Sequence, residues 1–208
     1  MYQIINCTQG TEEWLKARAG CVSGKRLSSV MSTKSGTREN LIEELIAEKI
    51  APLQETYTSG IMERWHLVET VVKELYRDKG ITVEEVGFIK RLEWLWISPD
   101  GIIRNTDGII TEAIEVKWPT PKIMVKYWLS WGIPNEYYWQ TIHYFVVIDT
   151  LEKLHFTICN PDIYDEKYRL KTITVTRQEL AWDISRAEET LAEFYGKYTE
   201  TIHTFLSL

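Results

Sequence analysis

The chain is short of cysteine, of long apolar runs and of positive charge, and each shortage removes a class of protein. Its three cysteines, Cys7, Cys21 and Cys159, are odd in number, widely spaced and without a CxxC pair, so they indicate neither a disulfide framework nor a zinc ribbon. They read as reduced thiols. No apolar stretch is long enough to cross a bilayer, and the opening MYQIINCTQG lacks the basic-then-apolar order of a secretory signal, so a cytoplasmic protein without a membrane partner is expected. Repeats and low-complexity segments are also absent. With 30 acids against 24 lysines and arginines, the net charge of −6 is the wrong sign for indiscriminate adhesion to nucleic acid.

What is present suits one globular domain over residues 1–208: 44% hydrophobic and 26% charged residues are ordinary proportions for a chain with a sizeable core. The charge is unevenly spread. Residues 1–38 carry Lys16, Arg18, Lys25, Arg26, Lys34 and Arg38 against only Glu12 and Glu13. An acidic body with one basic region can bind a specific phosphate without clinging to every duplex.

The most informative stretch is 98–119, SPDGIIRNTDGIITEAIEVKWP. A turn carrying Asp100 precedes an apolar run in which Glu115, Val116 and Lys117 alternate. On a strand, Glu115 and Lys117 share one face and Val116 points into the core. Two acids and a lysine can thus meet at one strand end. Asp100 and Glu115 would supply hard oxygen ligands for Mg²⁺, while Lys117 would orient or deprotonate a water and hold a scissile phosphate. Each half has a plainer reading, since Ser-Pro-Asp-Gly is a good β-turn and Glu-x-Lys is common on strands. Joined by an apolar hairpin-like segment and closed by Pro119, they form the PD-(D/E)xK nuclease pattern. Asp107, in Thr106-Asp107-Gly108, is the alternative to Asp100.

Around this stretch the periodicity predicts helix, then sheet, then helix. Thr11 caps a short helix over 12–18, ended by Ala19-Gly20. Ser23 starts a second capped helix leading to Val30 and Met31. With Arg and Lys25 nearby, such helix starts are ready anion sites. Thr37 caps a helix over 38–50 with Leu41, Ile42, Leu45, Ile46 and Ile50 as its stripe, and Pro52 breaks it. The next, over 61–78, carries Met62, Trp65, Val68, Val72 and Leu75, with Glu69 in its middle and Gly80 at its end. From Ile81 the period turns to two: strands are expected through Val86–Ile89, through Leu92, Trp94 and Trp96, and on either side of the Asp107 turn. An aromatic stretch over 124–131 leads into a helix over 135–147 that carries Gln140. Strands over 154–159 and 170–175 precede a capping box, Thr176 with Glu179, that opens a final amphipathic helix. The expected fold is α/β, a central mixed, antiparallel-rich β-sheet flanked by helices.

Several motifs in order carry a family resemblance. These are Glu13-Trp14 with Lys16-Ala17-Arg18-Ala19-Gly20 and Ser23-Gly24; Met62 with Glu69, Val72 and Tyr76; Ser98-Pro99-Asp100-Gly101; Glu115-Val116-Lys117-Trp118-Pro119; and Tyr137 with Gln140. Over about residues 10–147 the chain resembles lambda-type alkaline exonucleases, the YqaJ-like viral recombinase family of the PD-(D/E)xK superfamily, with its restriction-endonuclease-like core. The resemblance implies that Asp100 and Glu115 bind the metal with Glu69 beside them, that Lys117 is the catalytic lysine, and that Gln140 braces the site. It also implies that Arg18 grips a 5′-terminal phosphate, with Ser98 assisting. Where the family has a small hydroxyl residue beside Ser23, this chain has Lys25, which strengthens an anion site with a different geometry. A family glycine four residues before Glu69 is Trp65 here, leaving Glu63 as an alternative helix carboxylate. The second glutamine of the family's Gln-x-Gln is Ile142.

The implied activity is Mg²⁺-dependent (Mn²⁺ as substitute) 5′-to-3′ digestion of one strand of linear double-stranded DNA. The implied partners are a 5′-phosphorylated DNA end, a single-strand annealing protein and two further copies of the chain in a homotrimeric ring. The alternatives are an endonuclease that needs no end and a non-catalytic DNA-end-binding scaffold, for which two gathered carboxylates would have no use. The Glu-x-x-His spacings Glu63/His66, Glu152/His155 and Glu200/His203 would suit a di-iron bundle, but the chain centre reads as sheet. An iron–sulfur nuclease would need a fourth cysteine. Of the nine tryptophans, most are expected in the core, with some left to line an interface or stack on bases.

Overall fold

Local sequence signals account for most elements of the structure, a computed structural model that describes residues 1–8, 11–51 and 59–207, the side chains of 59–66 excepted. Expectations about Pro52, Met62, Glu63, Trp65 and His66 therefore lie outside the described residues or side chains. After β1 (Gln3–Ile5) comes α1 (Glu12–Arg18), where the Thr11 side chain accepts from Trp14 N and acids fill the first turn. Gly20, at φ +67°, turns the chain away. Ser23 stands at the N-cap position of the helical turn that follows, but its side chain makes no capping bond. It closes the two-residue strand β2 (Val22–Ser23), which runs parallel to β4 (Leu95–Ile97), and only then does a 3₁₀ turn over Gly24–Arg26 lead into α2 (Leu27–Val30). Pairing with β4, including Val22 N to Trp94 O at 2.7 Å, holds this backbone extended and delays the helix.

The next two helices narrow the expected stripes. α3 (Thr37–Ile50) is entered through Gly36 at φ +79°, so Thr37 lies inside the helix rather than capping it. Leu41, Ile42, Leu45 and Ile46 are buried, whereas Ile50 is exposed at the helix end. In α4 (Ser59–Arg77) Val68 and Val72 are buried and Leu75 is exposed. Gly80, at φ +75°, follows it, its N–H bonded to Arg77 O.

The strands form two four-stranded sheets. The first has the order β1-β3-β4-β2 with β3 at Phe88–Arg91. Leu92 and Glu93 form the β3–β4 turn with φ +56° and +53°, so the strand expected through Leu92 and Trp94 is instead a hairpin corner. Its left-handed residues are not the Asn-Gly type that marks such turns in sequence. The second sheet has the order β5-β6-β7-β8: β5 (Gly101–Arg104) and β6 (Ile110–Lys117) are antiparallel, β6 and β7 (Lys153–Cys159) parallel, β7 and β8 (Leu170–Thr176) antiparallel. The parallel pair is joined by α5 (Pro121–Leu129) and α6 (Asn135–Val147). The expected mixed, antiparallel-rich sheet is thus present, divided in two.

Strand alternation determines what each face of β6 meets. Ile114 and Val116 join Val68 and Val72 of α4 in one cluster. Ala113 joins Ile142, Phe145 and Val146 of α6 in the main core, over which α7 (Ala181–Leu206) lays Ala187, Leu191 and Phe194. The Thr176–Glu179 capping box forms, Thr176 N donating to Glu179 Oε2 at 2.7 Å, one turn before α7 begins. The C-terminal segment therefore serves the core. Full burial holds His143 of α6 neutral, its pKa lowered to about 4, and its Nε2–H donates to Trp96 O at 3.0 Å. That bond ties α6 to the first sheet. Among the described residues no helix is long and apolar enough to cross a membrane.

Gly87 marks a point where β1 closes on the loop before β3: a Cβ there would lie 2.5 Å from Ile5 O and 2.6 Å from Cys7 O, both backbone atoms. Gly87→Ala is expected to cost about 1–3 kcal/mol through forced backbone shifts. The effect should appear as a lower urea midpoint at unchanged m-value, and an unaltered midpoint would mean that β1 yields freely.

Candidate active site

The end of β6 gathers three of the expected residues. Asp100 sits just before β5, its N–H bonded to Ile114 O at 3.1 Å and its Oδ2 accepting from Val116 N at 2.6 Å. The side chain thus continues the ladder where β5 ends, which holds the acid against β6. Glu115 and Lys117 share the face that turns toward α6. Glu115, only 3% exposed, is held by three donors: Oε1 accepts from Lys117 Nζ and from Gln140 Nε2 (2.7 Å), and Oε2 accepts from the Tyr144 hydroxyl, which leaves a lone pair of Oε2 open. Lys117 also lies 5.2 Å from the centre of the Tyr137 ring. Tyr137, Gln140 and Tyr144 follow the i, i+3, i+7 spacing of one face of α6.

Charges in this site oppose one another. Burial first, then the Glu115 carboxylate and to a smaller degree Glu69, push the Asp100 carboxyl well above its ordinary pKa, against the pull of Lys117 and the Val116 N–H. Burial alone would lower the Lys117 pKa, but Glu115 and Asp100 outweigh it and hold the ammonium above its usual value. Lys117 is therefore a cation here, a donor rather than a base. Burial, with Glu115 next, raises the Tyr144 hydroxyl far above the ordinary phenol, so it too can only donate to the carboxylate.

Glu69, from the middle of α4, lines a cleft of about 500 Å³ together with Ser98, Pro99 and Asp100. Ser98 is in place, though its hydroxyl donates to Gly87 O at 2.9 Å. Asp107 lies in the exposed β5–β6 turn, away from this cleft. Among the described residues no three His, Cys, Asp or Glu side chains stand at metal-binding spacing. Asp100 and Glu115 with Glu69 nearby nevertheless form an all-oxygen donor set. Mg²⁺ commonly takes only one or two carboxylates and completes its shell with water and phosphate. The like-charge strain on Asp100 is what a bound dication would relieve, so these residues fit such an ion.

Arg18 is not in contact with the Asp100, Glu115 and Lys117 group. Its guanidinium lies 3.5 Å from the centre of the Trp14 ring and 4.2 Å from that of Trp96. Burial, then the nearby Arg26, lower its pKa to about 10, still a cation at neutral pH. Arg26 itself is paired with Glu48. By contrast, Arg18 Nε and the indole N–H groups of Trp14 and Trp96 are buried without partners among the described residues, and orphaned donors of this kind are rare in folded proteins. Ser23 pairs with Trp96 across β2 and β4, and Lys25 is exposed in the following turn. Between them Gly24 abuts the other site: a Cβ there would lie 3.0 Å from Gln140 Cγ.

Sequence reasoning missed Tyr144, whose only trace is its place four residues after Gln140 on an apolar helix, and Lys73 of α4, which is nearly buried. The di-iron alternative does not assemble, since His155 lies on β7 and pairs with Glu112 at 2.6 Å. All three cysteines are free thiols. Trp14, Trp94 and Trp96 belong to cores, whereas Trp131 and Trp182 are exposed.

Residues 13–151 match the YqaJ-like viral recombinase domain. Among solved structures the chain is similar to an alkaline exonuclease from Laribacter hongkongensis, with a TM-score of 0.78 and 22% identity over 95% of this chain and 97% of that one. The same exonuclease in complex with dAMP gives 0.73 and 24% over 95% and 99%. A phage-related exonuclease from Haemophilus somnus gives 0.58 and 12% over 88% and 96%. At these identities the likeness establishes the fold. No curated protein matches the chain.

Because the raised Asp100 pKa means that the folded state holds this proton more tightly than the unfolded one, the associated stability is complete below the ordinary carboxylate pKa. It is lost as pH rises toward the folded-state value. Asp100→Asn keeps an acceptor for Val116 N–H and removes the buried charge. In metal-free buffer it is expected to raise unfolding free energy at pH 8 by about 1–3 kcal/mol and to have little effect at pH 4. Urea titrations at the two pH values check this, and a destabilised variant at pH 8 would contradict it.

Proposed function

The chain belongs to the YqaJ-like viral recombinase family, and from that membership and the site geometry we propose that it is a divalent-metal-dependent exonuclease acting on linear double-stranded DNA. The observation that carries the reading is the Glu115 carboxylate, gripped by Lys117, Gln140 and Tyr144 beside the strained acid Asp100. A structural core has no need of two buried acids and an ammonium at one strand end, whereas phosphodiester hydrolysis needs such groups.

Mg²⁺, with Mn²⁺ as a substitute, held by Asp100 and Glu115 with Glu69 at the cleft wall, would neutralise the phosphate and lower the pKa of a bound water. The remaining work falls to the chain. Gln140 and Tyr144 hold Glu115 in one orientation, so its geometry is set before substrate arrives. Lys117 donates to a non-bridging phosphate oxygen or to the attacking water as negative charge develops. Water attacks phosphorus and gives up a proton to solvent, the bond from phosphorus to the 3′ oxygen breaks, that oxygen takes up a proton from solvent to leave as a hydroxyl, and the products are a mononucleotide and a shortened strand. The dAMP complex of the Laribacter exonuclease is in keeping with a mononucleotide product.

Arg18, between its two tryptophans and with orphaned donors around it, is the seat for the 5′-terminal phosphate, with Ser23, Lys25 and Ser98 along the approach. Anchoring the 5′ phosphate while cutting at the neighbouring linkage produces 5′-to-3′ digestion and leaves a 3′ single strand for recombination. The family resemblance adds a homotrimeric ring, a single-strand annealing partner and a setting in the cytoplasm of a bacterial host. Residues 1–208 act as one exonuclease domain in this reading.

The decisive experiment measures Mg²⁺-dependent nucleotide release from linear duplex DNA with and without a 5′ phosphate, beside covalently closed circles. Release from linear DNA only, stimulated by the phosphate and lost by at least about 10³-fold in Lys117→Ala, is expected. Arg18→Ala should remove most of the preference for the phosphorylated end. Cutting of closed circles would establish an endonuclease instead, and lysine-independent or absent cutting would leave a DNA-end-binding scaffold.

A further inference from the structure

Lys73 stands one helical turn after Glu69 on α4 and is 6% exposed. Lysines are almost never buried this far unless paired, and Lys73 is paired: its Nζ lies 2.6 Å from Glu85 Oε1. The pair is lopsided. Lys73 has 7% of its side chain exposed and Glu85 has 69%. An acid still in water contributes little net attraction, against the cost of drying an ammonium. Stability alone therefore does not account for a lysine here.

The surroundings suggest another use. Lys73 and Glu85 both line the cleft that holds Glu69, Ser98 and Asp100. Among the described residues that line it, the acids are Glu69, Glu85 and Asp100, and Lys73 is the one cation. A DNA strand entering such an acidic cleft needs a positive group for each backbone phosphate that passes the wall. Lys73 is placed for that task, but Glu85 already occupies its ammonium. A carboxylate and a phosphate oxygen compete for the same donor and repel each other, and the Glu85 side chain is already mostly in water.

We infer that Lys73 and Glu85 form a displaceable clasp at the catalytic cleft, in which Lys73 binds a backbone phosphate of the DNA strand after that phosphate has displaced Glu85. Glu85 screens the lysine in the free protein. This deepens the nuclease reading and rests on it.

The test uses duplex binding by fluorescence anisotropy in metal-free buffer, in an Asp100→Asn background that cannot cut, between about 50 and 200 mM salt. Lys73→Ala is expected to weaken binding about 5- to 10-fold and to reduce the slope of log affinity against log salt by about one phosphate contact. Lys73→Arg should restore the slope, and Glu85→Gln should tighten binding severalfold. With Asp100 intact, Lys73→Ala should raise KM far more than it lowers kcat. Lys73→Met, which keeps the aliphatic stem, should repeat the alanine result if the loss is of charge rather than packing. An unchanged salt slope in Lys73→Ala and Lys73→Met, or weaker binding in Glu85→Gln, would overturn the clasp and leave the pair structural. If the parent protein neither binds nor cuts duplex DNA, the nuclease reading fails first and the clasp with it.

Discussion

Burying the Glu115 carboxylate under α6 is the constraint around which the rest of this molecule is arranged. A carboxylate so placed is costly unless its lone pairs are met, and here each oxygen is met: one by Lys117 and Gln140, the other by Tyr144. Those donors come from the same strand and from one face of α6. The helix must therefore sit at one rotation and one height over β6. Ile142, Phe145 and Val146, packed against Ala113 and Leu154 of the sheet, hold it there. The apolar core and the polar site thus determine the same helix position.

The same helix connects the two halves of the proposed reaction. Its His143 is bonded to the Trp96 carbonyl of the first sheet, and the Trp96 ring forms one wall around Arg18. Gly24, next to Ser23 and Lys25, approaches Gln140 too closely for any side chain to stand between them without a shift. In the proposed reaction an end-binding arginine and a hydrolytic carboxylate pair would cooperate only if their separation were constant, since small displacements of reacting groups are expensive. Helix α6 supplies that rigidity, while Asp100 carries the charge strain that a cation would relieve.

Much of this was legible locally. The Thr11 cap, the hairpin around Asp107, the α6 span over 135–147 and the alternation of Glu115, Val116 and Lys117 all rest on short-range chemistry, which a sequence displays directly. The misreadings came where long-range pairing overrode local preference. Ser23 holds the cap position before a 3₁₀ turn, but its side chain makes no capping bond and its backbone is engaged by β4. Leu92 and Glu93 look like strand residues, but the hairpin imposes positive φ on both. Leu75 fits the apolar period of α4, yet Lys73 rather than Leu75 occupies the sheltered position beside the cleft.

By itself the sequence determined the kinds of groups available and their spacing along the chain: an acid in a turn, an acid and a lysine two apart on a strand, a glutamine on a later helix. It also determined most element types, because periodicity and capping act over a few residues. Only the tertiary structure decided which groups meet and in what state. Tyr144 becomes a donor to Glu115 because α6 turns it there, Lys117 remains a cation because two carboxylates outweigh its burial, and among the described residues Glu48 pairs with Arg26 while Arg18 Nε is left without a partner. These are properties of distance and dielectric between residues far apart in the chain, and no local pattern encodes them.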